Sequence, residues 1–292
     1  MYDDILVPTD GSPGILGPQA RAVDIARLGD ATIHSLYVVD TSSEWILAES
    51  DQHSVVRQTL EEHGTDATRE MAAFASDHGV ESRREVREGV PYRTILEYSR
   101  AADVDLIVMG TRGRTGDGER PLGSTTERVA VHSETPVLSV PLDTDASVPE
   151  PRYGMIDHLV IPTDGSDPAQ RAAEEGIAFA EQYGADVHVV YVVDATSYGL
   201  EDAPRSIVGL LKEGGQNAIG AVESMALDRN LPVTSDVLRG VPADEILEFA
   251  RGVDADLIAM GSRGRESAPK QVLGSSTGRI LRRATMPVLT VG

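Results

Sequence analysis

The chain has 292 residues, of which 40% are hydrophobic and 4% aromatic, and its 26 basic and 47 acidic residues give a formal net charge of −21. This length predicts two domains of roughly 150 residues each. So negative a charge repels nucleic acid backbones and anionic lipids, so we exclude both as partners. The sequence contains no cysteine, which excludes disulfides, thiolate metal sites and cysteine nucleophiles.

Short apolar runs alternate with helical patterns along the first half of the chain. Strands are predicted near 4–8, 32–39, 81–87, 104–109 and 136–141, and helices near 17–29, 53–78, 92–102 and 124–133. Such alternation is typical of βαβ units and a parallel sheet. The fourth strand is a continuous apolar run, which favours a central position covered on both faces.

The second half repeats the first. DILVPTDGS at 4–12 returns as HLVIPTDGS at 158–166, and DVDLIVMGTRGR at 103–114 returns as DADLIAMGSRGR at 254–265. Strands are predicted again near 157–162, 186–193, 232–238, 255–260 and 286–291. We therefore predict an α/β protein of two tandem doubly wound domains, each a five-stranded parallel sheet flanked by helices. The domains are predicted at 1–142 and 156–292, with a linker at 143–155 that is rich in Pro, Asp and Ser.

After its fourth strand, each copy carries three glycines and a serine in one spacing. These residues are Gly110, Gly113, Gly123 and Ser124 in the first copy, and Gly261, Gly264, Gly274 and Ser275 in the second. A loop of this kind leaves the carboxyl end of a strand, lacks Cβ atoms where an anion approaches, and ends at a helix N-terminus. We expect the two serines to be the N-cap residues of that helix. No lysine follows the last glycine, so the loop is not a P-loop, and it follows strand four, so it is not the dinucleotide fingerprint.

Three features of these segments have two interpretations each. Asp10 and Asp164 in the PTDGS segments either face a ligand or close an Asx turn, and both roles can coexist. Ser124 to Glu127 has the pattern of a capping box, in which Glu127 would compete for the helix amides. Arginines of the loops either offset phosphate charge or pair with nearby carboxylates. These arginines are Arg112, Arg114, Arg263 and Arg265.

With these segments the chain resembles the ATP-binding branch of the universal stress protein family, over nearly all of both copies. That family's motif is glycine, two residues, glycine, nine residues, glycine, then Ser or Thr, and both copies match it. The PTDGS opening and the YVVD end of the second strand add to the likeness. The resemblance implies a Rossmann-like fold of the adenine nucleotide alpha hydrolase type. It also implies that each domain holds ATP, or ADP or AMP, together with Mg²⁺.

The resemblance further implies which residues contact the nucleotide, besides the glycines and serines of the motif. In each copy these are the turn after strand one, a valine near the end of strand two, a methionine at the end of strand four and the second residue of the last helix. They are Pro8, Thr9, Asp10, Val38, Met109 and Thr125 in the first copy, and Pro162, Thr163, Asp164, Val192, Met260 and Ser276 in the second.

The resemblance predicts a nucleotide-dependent protein of the stress response. The alternative is an interaction or scaffold protein of the same fold that has lost the nucleotide. No general base is recognisable, so we expect a slow ATPase at most. The scattered histidines show no spacing of metal ligands, so no metal site built by the protein is expected.

The remaining expectations concern location and assembly. No run of 18 or more apolar residues is present, which predicts a cytoplasmic protein without membrane contact. An acidic chain whose only lysines are Lys212 and Lys270 resembles halophilic proteins. The family pairs domains through the final strand, which implies that 136–140 and 287–291 pair within the chain; a homodimer is left open.

Overall fold

A computed structural model describes residues 2–12, 16–42, 51–111, 122–141, 156–194, 205–264 and 272–292. The chain divides into two compact units, Tyr2–Gly154 and Met155–Gly292. We call them the first and the second domain and describe each by itself. The predicted linker at 143–155 lies outside the described residues.

The first domain alternates strands and helices as predicted. Its elements are β1 (Asp4–Thr9), α1 (Leu16–Gly29), β2 (Thr32–Asp40), α2 (Asp51–Asp77), β3 (Ser82–Gly89), α3 (Pro91–Ala101), β4 (Leu106–Gly110), α4 (Ser124–His132) and β5 (Val137–Val140). The strands are parallel, in the order β3, β2, β1, β4, β5. The order therefore reverses between β1 and β4, and at such a switch point the carboxyl ends of the strands open a crevice.

The second domain repeats this arrangement. Its elements are β6 (His158–Pro162), α5 (Asp167–Tyr183), β7 (Asp186–Asp194), α6 (Arg205–Asp228), β8 (Val233–Gly240), α7 (Pro242–Gly252), β9 (Leu257–Gly261), α8 (Ser275–Arg283) and β10 (Val288–Val291). The parallel order is β8, β7, β6, β9, β10. The predicted fold class, two doubly wound α/β domains, is confirmed.

The cores lie along the central strands. Every residue of β4 and of β9 is buried, and Ile5, Leu6 and Val7 of β1 are fully buried. Helices cover both faces of these strands, which is why their sequences are continuous apolar runs. By contrast, β3 and β8 at the sheet edges contain no buried residue and carry charged side chains, which discourages pairing with other chains.

An aspartate ties the central strands together at their amino ends. The Asp105 carboxylate accepts hydrogen bonds from the backbone N–H groups of Asp3 (2.8 Å) and Asp4 (3.0 Å). Asp256 does the same for Asp157 (2.9 Å) and His158 (3.1 Å). The aspartate thus stands outside the strand that was predicted to include it. It fixes β1 against β4, and β6 against β9, and so aligns their carboxyl ends at the crevice.

Candidate functional site

The second domain has a cleft of about 250 Å³ at its switch point. The ends of β6, β7 and β9 and the start of α8 meet there. All ten residues that the sequence assigns to the second copy's site line this cleft: Pro162, Thr163, Asp164, Val192, Met260, Gly261, Gly264, Gly274, Ser275 and Ser276. Residues separated by more than a hundred positions in the chain thus surround one space.

The turn after β6 positions Asp164. The Thr163 hydroxyl accepts a hydrogen bond from the Gly165 N–H (3.1 Å), and Oδ1 of Asp164 accepts one from the Ser166 N–H (3.0 Å). Gly165 has φ +75°, a left-handed conformation that favours glycine. The Asx turn is therefore formed, and it uses Oδ1, while Oδ2 of the same carboxylate points toward Gly264 in the cleft.

The glycines of the loop after β9 have distinct roles. A Cβ atom on Gly261 would lie 2.9 Å from the carbonyl oxygen of Arg263, 3.0 Å from the carbonyl carbon of Pro168 and 3.1 Å from the nitrogen of Ala169. This glycine therefore makes room both for the backbone of its own loop and for the start of α5. A Cβ on Gly264 would lie 2.5 Å from Oδ2 of Asp164, so this glycine lets the carboxylate reach its place in the cleft.

The predicted N-caps are wrong by one residue. The N-cap of α8 is Gly274 and that of α4 is Gly123, and their carbonyls accept the first helical hydrogen bonds, from Gly278 and Glu127 (2.9 Å each). Ser124 and Ser275 are instead the first residues of the helices, because the chain is still extended at the preceding glycine. A capping box that begins at Ser124 is consequently out of register. Since a glycine cap has no side chain, the first-turn amides are not capped from that position in either domain.

Hydrogen bonds close the glycine loop at its base in both domains. Gly274 N–H donates to the carbonyl of Ser262 (3.0 Å), and the Thr277 hydroxyl donates to the carbonyl of Gly261 (2.9 Å). In the first domain, Gly123 donates to Thr111 (2.8 Å) and the Thr126 hydroxyl to Gly110 (2.8 Å). Sequence reasoning missed these two threonines, although both copies place Thr three residues after the last glycine.

The first domain repeats the other parts of the site that the structure describes. Oδ1 of Asp10 accepts from the Ser12 N–H (3.0 Å) and the Thr9 hydroxyl from the Gly11 N–H (3.1 Å). Met109 belongs to a buried apolar cluster against which Val38 packs. Pro8 lies beside Leu36 where β1 pairs with β2, and Ser124 and Thr125 begin α4. Gly113 lies outside the described residues, as do Arg112, Arg114 and Arg265.

Further residues line the cleft of the second domain. These are Ala169, Val190, Tyr191, Val193, Asp194, Pro242, Ile246, Arg263 and Thr277. Pro242 is the first residue of α7 and belongs to the GVP segment that both copies share. The lining combines apolar residues, the charged residues Asp164, Asp194 and Arg263, and a helix N-terminus. Such a surface suits an apolar ring with polar edges joined to an anionic group.

Among the described residues, no three His, Asp or Glu side chains are grouped as ligands for a metal ion. No helix formed by these residues is long and apolar enough to cross a membrane.

Known proteins resemble the chain over its full length. The universal stress protein family matches residues 1–141 and 155–292. A universal stress protein of Methanocaldococcus jannaschii is 43% identical over 136 residues, which cover 46% of this chain and 80% of that protein. One of Mycolicibacterium smegmatis is 26% identical over 302 residues, covering 98% of this chain and 96% of that protein.

A solved structure has the same fold. The crystal structure of a universal stress protein from Archaeoglobus fulgidus covers 99% of this chain and 96% of its own, with a TM-score of 0.74 at 23% sequence identity. Because the family matches twice and the two matches span nearly the whole sequence, the chain belongs to the universal stress protein family and carries two of its domains in tandem.

Proposed function

We propose that each domain binds an adenine nucleotide, ATP foremost, and that the chain is a nucleotide-dependent regulator in a stress response. One observation carries the proposal: the ten residues that the family resemblance assigns to the nucleotide in the second copy all line a single cleft. These residues lie at the ends of β6, β7 and β9 and at the start of α8, which the switch point brings together.

The geometry of the cleft supports a polyphosphate at one end. Ser275 and Ser276 begin α8 after the glycine cap, so their N–H groups and the positive end of the helix face the glycine loop. Arg263, a cationic residue, is also part of the lining. Mg²⁺ is commonly held by phosphate oxygens, water and at most one or two carboxylates, so the chain needs no dedicated metal cluster to bind the magnesium complex.

The other end of the cleft supports a nucleoside. Val192 and Met260 supply apolar surface, and Asp164 supplies a carboxylate between the glycine loop and the turn after β6. A carboxylate can accept hydrogen bonds from ribose hydroxyls or from an exocyclic amine. The described lining contains no histidine that could serve as a general base, so we expect any hydrolysis to be slow.

The proposal is tested by calorimetric titration of the full chain with ATP and Mg²⁺. We expect two nucleotides per chain. In the Gly264→Ala variant the new methyl group must displace the Asp164 carboxylate, which is the movable end of a side chain, so the fold is retained while the second site weakens. We expect about a tenfold loss of affinity at that site, equivalent to about 1.4 kcal/mol.

The matched control is Gly220→Ala. Gly220 lies on the exposed face of α6 and a Cβ there would meet nothing within 4 Å, so both affinities should stay at the wild-type values. Unchanged binding in Gly264→Ala would contradict the assignment of this cleft. No binding of nucleotide at millimolar concentration would instead favour the alternative, an interaction protein that keeps only the fold.

A further inference from the structure

The amino end of the second domain's sheet holds a pair of facing histidines. His158 begins β6 and His188 is the third residue of β7. Nδ1 of His158 lies 3.2 Å from Nε2 of His188, and the ring centres are 5.4 Å apart. The other nitrogen of His188, Nδ1, is hydrogen-bonded to the hydroxyl of Thr234 on β8 (2.8 Å). The pair thus links the three strands β6, β7 and β8. We call His158 and His188 the histidine pair.

The first domain builds the same place differently. The histidine equivalent to His188 is His34, whose Nε2 lies 2.6 Å from Oδ1 of Asp4, the residue equivalent to His158. Nδ1 of His34 lies 2.9 Å from the hydroxyl of Tyr98. An imidazole beside a carboxylate can carry a positive charge without losing its hydrogen bond, because the carboxylate remains an acceptor. The hydrogen bond of the first domain therefore does not require a neutral ring.

The hydrogen bond of the histidine pair cannot form when both rings are positively charged. A hydrogen bond between two imidazoles requires one N–H and one lone pair. When both rings are protonated, both facing nitrogens carry hydrogen, so the bond is lost and two positive charges stand side by side. One added proton can be shared between the rings, but the second cannot.

Some groups around the histidine pair lower the pKa of His188 and others raise it. Burial lowers the pKa of His188, and the neighbouring charge of His158 lowers it further, while Asp186 on β7 and Asp236 on β8 act in the opposite direction. Asp256, next to β9, accepts the backbone N–H of His158 (3.1 Å). From α7, the uncharged ring of Phe249 faces His188 at 6.2 Å. The carboxylates do not reverse the effect, and the pKa of His188 stays below its ordinary value.

We propose that the histidine pair is an acid-sensitive switch: when both rings are protonated, the amino ends of β6, β7 and β8 separate more easily. The first domain has Asp4 in the place of His158, so its strands stay joined in acid. In the unfolded chain His188 has the ordinary histidine pKa of about 6.5. The folded domain binds that proton less readily. The stability is therefore complete above about pH 6.5 and is lost as the pH falls below it. This inference is independent of nucleotide binding.

Hydrogen exchange on the full chain without nucleotide tests the proposal. Exchange is followed by mass spectrometry at pH 7.5 and 5.5, corrected for intrinsic rates, with EDTA present. We expect peptides of β6 and β7 to lose protection by about tenfold at the lower pH. Peptides of β1 and β2 should change by less than about twofold. An equal response of the two domains would overturn the proposal.

Exchanging the equivalent residues provides the decisive variants. His158→Asp places the first domain's carboxylate beside His188, and the acid response of β6 and β7 should disappear. Asp4→His in the first domain should create that response in β1 and β2. His158→Asn, which keeps a hydrogen-bonding side chain without a titrating ring, serves if His158→Asp does not fold. If β6 and β7 still lose protection at pH 5.5 in a folded variant of His158, the proposal is wrong.

Discussion

Single side chains of this protein act mainly by holding backbone segments in place. Asp105 and Asp256 each accept two backbone N–H groups at the start of the neighbouring strand in the sheet, β1 or β6. Thr126 and Thr277 each tie a helix start to a strand end. Each contact occurs once per domain at equivalent positions. Some of the residues that the two copies share are therefore explained by the fold, without reference to a ligand.

Asp256→Ala should destabilise the second domain. The substitution leaves the N–H groups of Asp157 and His158 without their carboxylate acceptor, and since this place is partly exposed, water replaces part of the loss. We expect the free energy of unfolding to fall by about 1 to 2 kcal/mol, measured by urea denaturation. Asp228→Ala, at the exposed end of α6, is the control. Equal stabilities of the two variants would refute the role given to Asp256.

At the scale of elements, α6 is held against β7 by a close contact with a tyrosine ring. A Cβ on Gly215 would lie 2.6 Å from Cδ1 of Tyr191, and Tyr191 lines the cleft. In the first domain Gly64 of α2 stands in the same relation to Tyr37. The long helices therefore require a glycine in mid-helix, at the expense of helix propensity.

Two glycines of α6 give a matched comparison. Gly→Ala within a helix gains about 1 kcal/mol of propensity, and Gly220→Ala should show this gain because its Cβ meets nothing. Gly215→Ala must push Tyr191 aside, so we expect a net loss of about 1 to 3 kcal/mol. Thermal unfolding of the two variants decides the point. A rise in melting temperature for Gly215→Ala would show that the contact has room to relax.

The elements were predictable because their signals are strong and duplicated. Continuous apolar runs identify β4 and β9, and prolines mark the starts of α3 and α7. The N-caps were not predictable in the same way, since Ser124 and Ser275 are good caps by residue type and only the backbone conformation of the preceding glycine decides. The histidine pair was also missed, because its members are 30 residues apart and become neighbours only through strand pairing.

For the whole molecule the dominant quantity is the net charge of −21. Mutual repulsion of so many carboxylates opposes the compact state, and salt reduces it as the Debye length falls from about 10 Å at 0.1 M to about 3 Å at 1 M. The repulsion acts on both domains at once.

We therefore predict that the melting temperature rises with KCl, as in halophilic proteins. Screening is largely complete near about 1 M, so the rise should flatten there, and differential scanning fluorimetry across a KCl series follows it. A melting temperature that is the same at low and molar KCl would contradict the prediction. A rise that continues linearly beyond that range would point to exclusion of salt from the protein surface instead.

The two domains are alike at the carboxyl ends of their strands and differ at the amino ends. The carboxyl edges carry the same turn, the same loop closure and the same helix start, whereas the amino edges have diverged into a carboxylate with a histidine in one domain and two histidines in the other. A chain built in this way can change the stability of one half without altering the residues that face the crevice.

The crowding of Gly261 by the backbone of Pro168 and Ala169 bears on how such sequences are classified. In this chain the backbone requires that glycine independently of any ligand. The three-glycine pattern as a whole therefore combines a glycine that the fold requires with one that shapes the cleft. The second glycine, which makes room for a carboxylate, is the more informative marker of a working pocket.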